Sequence, residues 1–163
     1  MLAKTISEIS RKEIPLLYYF PEEVEKAIQD NRLVVLGQEN KNIAFAFWRR
    51  YGDWIELSTM YIVPEFRGQG YLHKLVDAIH FKLQDEKANL LLFTQAPQVA
   101  HVIERFGFKR APMVALPLSV LAKIILHRLH PRRWLSYAKH IKNIPRVFKT
   151  RLYLRNTAGS EIH

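Results

Sequence analysis

The stretch VPEFRGQGYLHKLV, residues 63–76, joins an apolar segment to a segment whose apolar residues recur at helical spacing. Two of the chain's six glycines, Gly68 and Gly70, stand here two residues apart, directly after Arg67. Glycine lets a backbone approach a ligand closely, and the unbonded amides of a first helical turn favour an anion. The stretch therefore predicts a phosphate-binding turn between a strand and a helix.

Two familiar glycine motifs do not account for this turn. A dinucleotide fingerprint would need a third glycine at position 73, which is occupied by His73, and a nucleotide P-loop would need Gly-Lys-Ser/Thr. The turn therefore either belongs to another class of phosphate site or needs its glycines only for their backbone angles.

The flanking segments predict the order of the secondary structure. A helical segment ends near Asn31, and it is followed by a meander of three strands, the helix of the opening stretch, a buried strand, a short helix and an extended segment. The predicted strands are residues 33–37, 42–50, 53–63 and 88–95, the helices are residues 69–84 and 97–107, and the extension starts at Phe108. A strand–helix–strand unit needs parallel strands, so we expect an α/β fold with a mixed β-sheet flanked by helices.

The same residues resemble a known family. STMYIVPEFRGQGYLHKLV, residues 58–76, is similar to motif A of the GCN5-related N-acetyltransferases (GNAT), in which a strand and Val-x-Pro lead into Arg-Gly-x-Gly-x-Gly/Ala. ANLLLFTQ, residues 88–95, resembles the next strand of that family, and VIERFGFKR, residues 102–110, resembles the end of its second helix. The resemblance implies a GNAT-like fold and an acyl-CoA-dependent N-acyltransferase. Acetyl-CoA or another acyl-CoA would be the co-substrate and an unidentified amine the acceptor.

The resemblance also implies roles for individual residues. Backbone groups of the preceding strand would pair with the pantetheine arm, and amides of the glycine turn would hold the pyrophosphate. The implied CoA-binding residues are Tyr61, Ile62, Val63, Arg67, Gly68, Gln69, Gly70, Tyr71 and Leu72. Glu56, in the preceding strand, is the candidate general base, and the Tyr61 hydroxyl is a second catalytic candidate.

Two departures from the family pattern keep another interpretation open. Leu72 stands where the family has a final Gly or Ala, so its side chain is expected to crowd the pyrophosphate site. Ile103 stands where many members have a tyrosine that protonates the leaving thiolate, and His101 points about 200° away from it on an ideal helix. The alternative is a catalytically degenerate binding protein with the same fold, whose basic C-terminal third holds an anionic partner. No residues have the spacing of a metal site, and none is predicted.

The charge of the chain is concentrated in its last third. Residues 105–163 carry 13 Lys and Arg against one acid, Glu161, whereas residues 1–104 carry 12 Lys and Arg against 14 Asp and Glu. This asymmetry suggests an anionic partner at residues 105–155: a membrane surface, a nucleic acid or an acyl carrier protein. The remaining alternatives are that this segment packs on the sheet or mediates a homodimer.

The predicted organisation is a GNAT-like core, residues 1–112, and a basic C-terminal segment, residues 113–163, packed on or completing the same domain. Within that segment VALPLSV is expected to begin as a strand, and Leu118, Leu121, Ala122, Ile125 and Leu129 to form the apolar stripe of a helix. A second amphipathic segment covers residues 133–144, and residues 146–155 alternate as a strand. The chain has no cysteine and no secretory signal, so we expect a cytoplasmic protein, with a peripheral membrane location as an alternative.

Overall fold

The structure, a computed structural model, describes residues 2–12, 19–38, 41–128 and 150–156. The chain divides into two compact units. One, which we call the helical unit, contains residues 1–32 and 114–150; the other, the sheet unit, contains residues 33–113 and 151–163. This division differs from the expected boundary at residue 112, because the first 32 residues group with part of the basic segment and the C-terminal strand groups with the sheet.

The sheet unit is built on six strands in the order β1-β2-β3-β4-β6-β5. The strands are β1 (Leu33–Gln38), β2 (Lys41–Tyr51), β3 (Trp54–Ile62), β4 (Asn89–Thr94), β5 (Lys109–Ala111) and β6 (Arg151–Arg155). Strands β3 and β4 are parallel, and every other neighbouring pair is antiparallel. Helix α3 (Tyr71–Leu83) connects β3 to β4, and α4 (Pro97–Arg105) connects β4 to β5. The predicted mixed sheet with flanking helices is thus confirmed.

The hydrophobic core of this unit lies between one face of the sheet and the two helices. Leu75 and Ile79 of α3, Ile103 of α4, and Leu90 and Leu92 of β4 are all buried in a single cluster. The apolar spacing that predicted α3 is therefore the spacing of its buried face. Leu91, between the two leucines of β4, is also buried, as expected of a strand covered on both faces.

Glycines fix two of the turns that shape the sheet unit. Gly52, at φ +64°, makes the hairpin between β2 and β3. Gly107, at φ +82°, ends α4: its N–H donates to the Glu104 carbonyl at 3.1 Å, and the Phe108 N–H donates to the Ile103 carbonyl at 3.2 Å. Both bonds satisfy carbonyls that the end of the helix leaves without partners.

The C-terminal strand completes the sheet. The alternation of residues 146–155 predicts a strand, and β6 forms over Arg151–Arg155, whereas residues 146–149 lie outside the described part of the chain. Leu154 is aligned with Leu91 of β4 on one side and with Lys109 of β5 on the other. Strand β6 therefore lies between two strands that precede it by more than forty residues in the sequence.

The helical unit contains α1 (Leu2–Lys12), α2 (Pro21–Gln29) and α5 (Leu118–Arg128). The first segment, predicted as helical, forms two helices. Helix α2 begins at Pro21, where the Glu23 carboxylate accepts a hydrogen bond from the Phe20 N–H at 3.1 Å, and ends before Asn31 at φ +54°. The Ser10 hydroxyl accepts from the buried Tyr19 N–H at 3.1 Å.

The expected strand at VALPLSV, residues 114–120, is wrong. Met113–Ala115 form a single 3-10 turn, and α5 follows at once. The Pro117 carbonyl accepts hydrogen bonds from the N–H groups of Val120 at 2.9 Å and Leu121 at 3.0 Å, so the proline starts the helix. The predicted second amphipathic segment, residues 133–144, lies outside the described residues. Within the described ranges, no helix is both long and apolar enough to cross a membrane.

Replacing Tyr153 with alanine tests whether β6 is an integral part of the sheet. Tyr153 is 2% exposed and lies in the core cluster. We expect Tyr153→Ala to lower the free energy of unfolding by about 3 kcal/mol, because a large aromatic side chain is removed from a close-packed core. Urea denaturation measures the change, with the exposed Arg151→Ala on the same strand as the control. Equal midpoints for both variants would contradict the placement of β6.

Candidate functional site

The central feature of the sheet unit is a gap between two parallel strands. Strands β3 and β4 are paired from Trp54 and Asn89 as far as Leu57 and Leu92, and their pairing stops there. Beyond that point β3 stays paired with β2 as far as Ile62, and β4 stays paired with β6 as far as Thr94. Each strand thus keeps its outer neighbour while the two diverge from one another at their carboxyl ends.

A β-bulge marks the point of divergence. Across β2 and β3, Phe47 is aligned with Thr59 and Trp48 with Leu57, so Ser58 is the extra residue. The Ser58 hydroxyl donates to the Phe47 carbonyl at 3.3 Å. A bulge adds a bend and twist to its strand. The bend at Ser58 therefore turns the end of β3 away from β4 just where the pairing stops.

The bulge also decides which backbone groups border the gap. The Val63 N–H donates to the Ile43 carbonyl of β2 at 2.8 Å, so it faces away from the gap. Successive residues of a strand present their N–H and C=O groups to opposite sides, so Tyr61 also faces β2, and Met60 and Ile62 face the gap. Of the three residues expected to pair with pantetheine, geometry thus places the backbone of Ile62 at the gap and those of Tyr61 and Val63 at β2.

The glycine turn lies directly after β3. Gly68 at φ +79° and Gly70 at φ +81° both have left-handed backbone conformations that side chains disfavour. A Cβ atom built on either glycine would meet nothing within 4 Å. The glycines are therefore needed for their backbone angles, and the space in front of the turn is open, with room for a ligand.

The first turn of α3 follows the glycine turn directly. The first bond of the helix runs from the Lys74 N–H to the Gly70 carbonyl at 3.3 Å, so the N–H groups of Leu72 and His73 belong to the first turn, which has no preceding helical carbonyl to bond. Gly70 is the N-cap and provides no side-chain cap. The positive end of the helix dipole adds to this site, which can bind a diphosphate through backbone groups.

Side chains of the turn fold back and hold it in shape. The Arg67 Nε donates to the Ile62 carbonyl at 3.0 Å, and the Arg67 guanidinium lies 5.7 Å from the centre of the Tyr61 ring. The Gln69 Nε2 donates to the Glu65 carbonyl at 2.8 Å. These contacts tie the turn to the end of β3, while Arg67 still contributes its positive charge at the same corner.

The side chains of Tyr71 and Leu72, at the start of α3, are both half-buried. Each packs against the hydrophobic core. Tyr71 is in edge-to-face contact with Phe66 at 5.7 Å, and the Lys74 ammonium lies 4.8 Å from the centre of the Tyr71 ring. The expected crowding of the pyrophosphate site by Leu72 stays a prediction.

Glu56 is buried on the sheet face opposite the core cluster. It is 2% exposed, and the Tyr51 hydroxyl donates to its Oε2 at 3.3 Å. Its neighbours Ile55 and Leu57 belong to the core cluster, so alternation points Glu56 to the other face. It lies one residue before the pairing of β3 and β4 ends. A carboxylate in this position can accept a proton from a group bound at the gap.

Tyr61 is on the same face as Glu56 because of the bulge. Ile55 and Leu57, at odd positions of β3, point into the core cluster. Without the extra residue at Ser58 the alternation would continue unchanged, and Tyr61, also at an odd position, would point into the core as well. Instead Tyr61 is stacked on Phe45 with the ring centres 5.2 Å apart, and Phe45 contacts Phe47 edge-to-face at 5.7 Å. The buried Glu56 therefore shares its sheet face with a cluster of aromatic rings.

The second helix provides no acid at the position where the family tyrosine would stand. Ile103 is fully buried in the core, and a hydrocarbon side chain cannot protonate a leaving group. His101 is exposed, and its Nε2 lies 3.2 Å from a terminal nitrogen of Arg105. His73 and His80 contact the Phe106 ring. Across residues 2–12, 19–38, 41–128 and 150–156, no group of three His, Asp or Glu side chains could hold a metal ion.

Two residues of the gap were not identified from the sequence. Met60 presents its backbone to the gap, and Ser58 forms the bulge. Ser58 has no local sequence signal, because a bulge of this kind needs no glycine. Met60 has none either, because the side of β3 to which each residue turns its backbone groups is known only once the bulge is placed. The shared face of Phe45 and Phe47 could have been anticipated from the alternation of β2, whereas Tyr61 joins them only because of the bulge in β3.

A family model now connects this geometry with known proteins. The model described as an acetyltransferase (GNAT) domain matches residues 29–110, which is half of the chain. The chain belongs to the GNAT acetyltransferase family. The matched residues contain β1 to β4, the glycine turn, α3 and α4, so this GNAT domain includes every residue of the gap.

Solved structures share the fold at low sequence identity. Rv2747 from Mycobacterium tuberculosis, in complex with CoA and NLQ, superimposes with a TM-score of 0.69 at 15% identity over 95% of this chain and 93% of that one. The ribosomal-protein-S18-alanine N-acetyltransferase from Escherichia coli gives 0.58 at 16% identity, over 99% and 92%.

A third GNAT structure is part of a larger protein. N-acetylglutamate synthase from Neisseria gonorrhoeae, complexed with coenzyme A and L-arginine, gives a TM-score of 0.62 at 19% identity, over 96% of this chain but only 31% of that one. A comparison with curated protein sequences found no match. The likeness to these solved structures is therefore one of fold.

Proposed function

We propose that the protein transfers an acyl group, in the simplest case acetyl, from acyl-CoA to an amine. The observation that carries this proposal is the position of the gap between β3 and β4 beside the glycine turn. The pairing of β3 with β4 ends at Leu57. Gly68, the first glycine of the turn, follows eleven residues later, after the end of β3. An extended arm in the gap would thus lead directly to a diphosphate at the first turn of α3.

The residues at the site fit the two chemically different parts of CoA. The backbone N–H and C=O of Met60 and the N–H of Ile62 can pair with the amides of a pantetheine arm, in the way that an added strand pairs with a sheet edge. The open turn from Arg67 to Leu72 can hold the pyrophosphate through amides and the positive charge of Arg67. Solved relatives support this, since Rv2747 and N-acetylglutamate synthase were both determined with CoA.

The proposed reaction is a direct attack of an amine on a thioester. The acyl-CoA supplies an activated carbonyl carbon and a thiolate leaving group. A bond forms between the amine nitrogen and that carbon, the carbon–sulfur bond breaks, the amine loses a proton and the thiolate gains one. We propose that Glu56 receives the amine proton, directly or through a water molecule, because it is a buried carboxylate next to the end of the paired region.

The acceptor is proposed only as an amine. Relatives of the same fold are named for different acceptors, an amino acid in N-acetylglutamate synthase and ribosomal protein S18 in the Escherichia coli enzyme. The gap and the glycine turn position the acyl donor and carry no information on the acceptor. The acceptor is therefore to be found by screening amino acids, peptide N-termini and polyamines.

One observation favours a second candidate function, a binding protein that no longer catalyses transfer. Ile103 is fully buried where a leaving-group acid is common in the family. A CoA thiolate is a good leaving group, however, and water can protonate it after departure. The two candidates differ in a simple way: only the transferase releases free CoA when acyl-CoA and an amine are both present.

Replacing Gly70 with glutamate tests the proposed diphosphate site. We expect Gly70→Glu to weaken acetyl-CoA binding by more than about tenfold in calorimetric titration, because a carboxylate would face the anion at the helix start. Gly52→Glu is the matched control: Gly52 also has a positive φ and open space around it, but it lies in the β2–β3 hairpin. The backbone strain in the two variants should be similar, about 1–2 kcal/mol.

The control separates loss of the site from loss of the fold. Similar melting temperatures for the two variants, with binding lost only in Gly70→Glu, are the expected result. If the wild-type protein gives no heat with millimolar acetyl-CoA, the acyl-CoA proposal is wrong. If Gly70→Glu binds as well as Gly52→Glu, the diphosphate lies elsewhere.

Replacing Glu56 with glutamine tests its role as the base. Glutamine keeps the shape of the side chain and cannot accept the proton, so we expect kcat to fall by about 10²-fold or more, with acetyl-CoA affinity unchanged. Release of CoA can be followed with a thiol-reactive chromogen without background from the protein, since the chain has no cysteine. Tyr51→Phe, which removes the hydroxyl bonded to Glu56, is expected to have a smaller effect. Unchanged kcat and pH profile in Glu56→Gln would rule out Glu56 as the base.

A further inference from the structure

Helix α5 of the helical unit has two apolar faces, only one of which is buried. At about 100° per residue, Val120 and Ile124 lie on one side of the helix, and Leu118, Ile125 and Leu126 lie within an arc of about 100° on the other side. Val120 and Ile124 are 6% and 2% exposed. Leu118, Ile125 and Leu126 are 83%, 46% and 75% exposed. Of the stripe predicted from the sequence, Leu118, Ala122 and Ile125 are exposed and Leu121 is half-buried, while Leu129 lies outside the described residues.

Two further exposed apolar residues lie close to these three in the sequence. Val114, four residues before Leu118, is 89% exposed, and Ala122 between Leu118 and Ile125 is also exposed. Single exposed leucines are common, but several large aliphatic side chains on one helix face are typical of an interaction surface. We call Leu118, Ala122, Ile125 and Leu126 the apolar face of α5.

The chain around this face is strongly basic. The connection between β5 and β6, residues 112–150, contains eight Lys and Arg and neither Asp nor Glu. Lys123 is exposed on α5 itself, and Arg128 is in its last turn. The same connection also contains Trp134. A segment that combines exposed aliphatic side chains, cations without any acid, and an aromatic residue has the composition of helices that bind at the surface of an anionic bilayer.

We infer that the apolar face of α5 inserts into the surface of an anionic lipid bilayer. The insertion depends on α5 and its basic surroundings alone, and it goes beyond the proposed transferase activity. Nucleic acid is a poorer fit, because phosphates attract the cations but offer nothing to bury the aliphatic side chains. The 11 residues of α5 extend about 16 Å, roughly half the thickness of a bilayer core, so the helix would lie in the interface.

Sedimentation with lipid vesicles tests this inference on the full chain. We expect the protein to bind vesicles that contain phosphatidylglycerol and to bind phosphatidylcholine vesicles much more weakly, with binding reduced as salt is raised. The double variant Leu118→Gln with Leu126→Gln should bind anionic vesicles at least about tenfold more weakly. Phe81→Gln is the matched control, because Phe81 is 73% exposed on α3 of the other unit, and its effect should be below about twofold.

The absence of cysteine allows the inserted face to be identified directly. An environment-sensitive fluorophore attached to Leu118→Cys or Leu126→Cys is the only thiol label on the chain. On anionic vesicles we expect a blue shift at these positions and none with the label at Phe81→Cys. The emission shift reports whether the labelled position contacts lipid and does not depend on the glutamine variants. It therefore tests the inference even if those variants fold less well.

Five results would overturn the inference. Failure to bind anionic vesicles would do so, as would binding that the double variant leaves unchanged. An equal blue shift from positions 118 and 81 would show that α5 has no special contact with lipid. Finally, if light scattering shows a dimer that the double variant dissociates, or if single-stranded RNA is bound while vesicles are not, another partner covers the apolar face.

Discussion

The divergence of β3 and β4 is the constraint on which the rest of the sheet unit depends. Two parallel strands that stop pairing expose backbone groups that need partners. The number of unpaired backbone groups, and with it their cost in free energy, is limited because β2 and β6 pair with the outer edges of the two strands, so that only the inner edges are open. The bulge at Ser58 provides the bend. It also shifts the alternation along β3 by one residue, so that the backbone groups of Met60 and Ile62 face the gap and the Tyr61 side chain lies on the face of Glu56. One inserted residue thus determines both where a ligand arm can pair and which side chains surround it.

The sequence contained most of the fold and about half of the site. Strands, helices and the glycine turn have local signals: alternation in β2, helical spacing in α3, and paired glycines before Tyr71. The side to which each residue of β3 beyond Ser58 points had no such signal, because it depends on a bulge formed through contacts with β2. The same holds for Leu72, whose orientation toward the core is set by the position of α3 on the sheet. The expected strand at VALPLSV failed for a different reason: β-branched residues favour a strand locally, but Pro117 starts a helix there.

The basic segment illustrates why composition and structure have to be combined. Its charge alone suggests any anionic partner, and its apolar spacing alone suggests a helix that packs on the protein. The structure separates the two apolar faces of α5 and shows that Leu118 and Ile125, two residues of the predicted stripe, lie on the exposed one. An acyltransferase held at a bilayer surface would meet acceptors and acyl donors concentrated in two dimensions. The proposed donor site and the proposed lipid-binding face nevertheless consist of separate residues, so a substitution that abolishes one is expected to leave the other.

The central claim is that acyl-CoA pairs with the inner edge of β3 at Met60 and Ile62. Residue-resolved amide hydrogen exchange by NMR tests it most directly, in the free protein and in the presence of saturating acetyl-CoA. The account predicts that the Val63 amide, bonded to Ile43, is protected in both states, and that the amides of Met60 and Ile62 exchange readily in the free protein and become protected with acetyl-CoA. Binding of acetyl-CoA without any change at Met60 and Ile62 would contradict it.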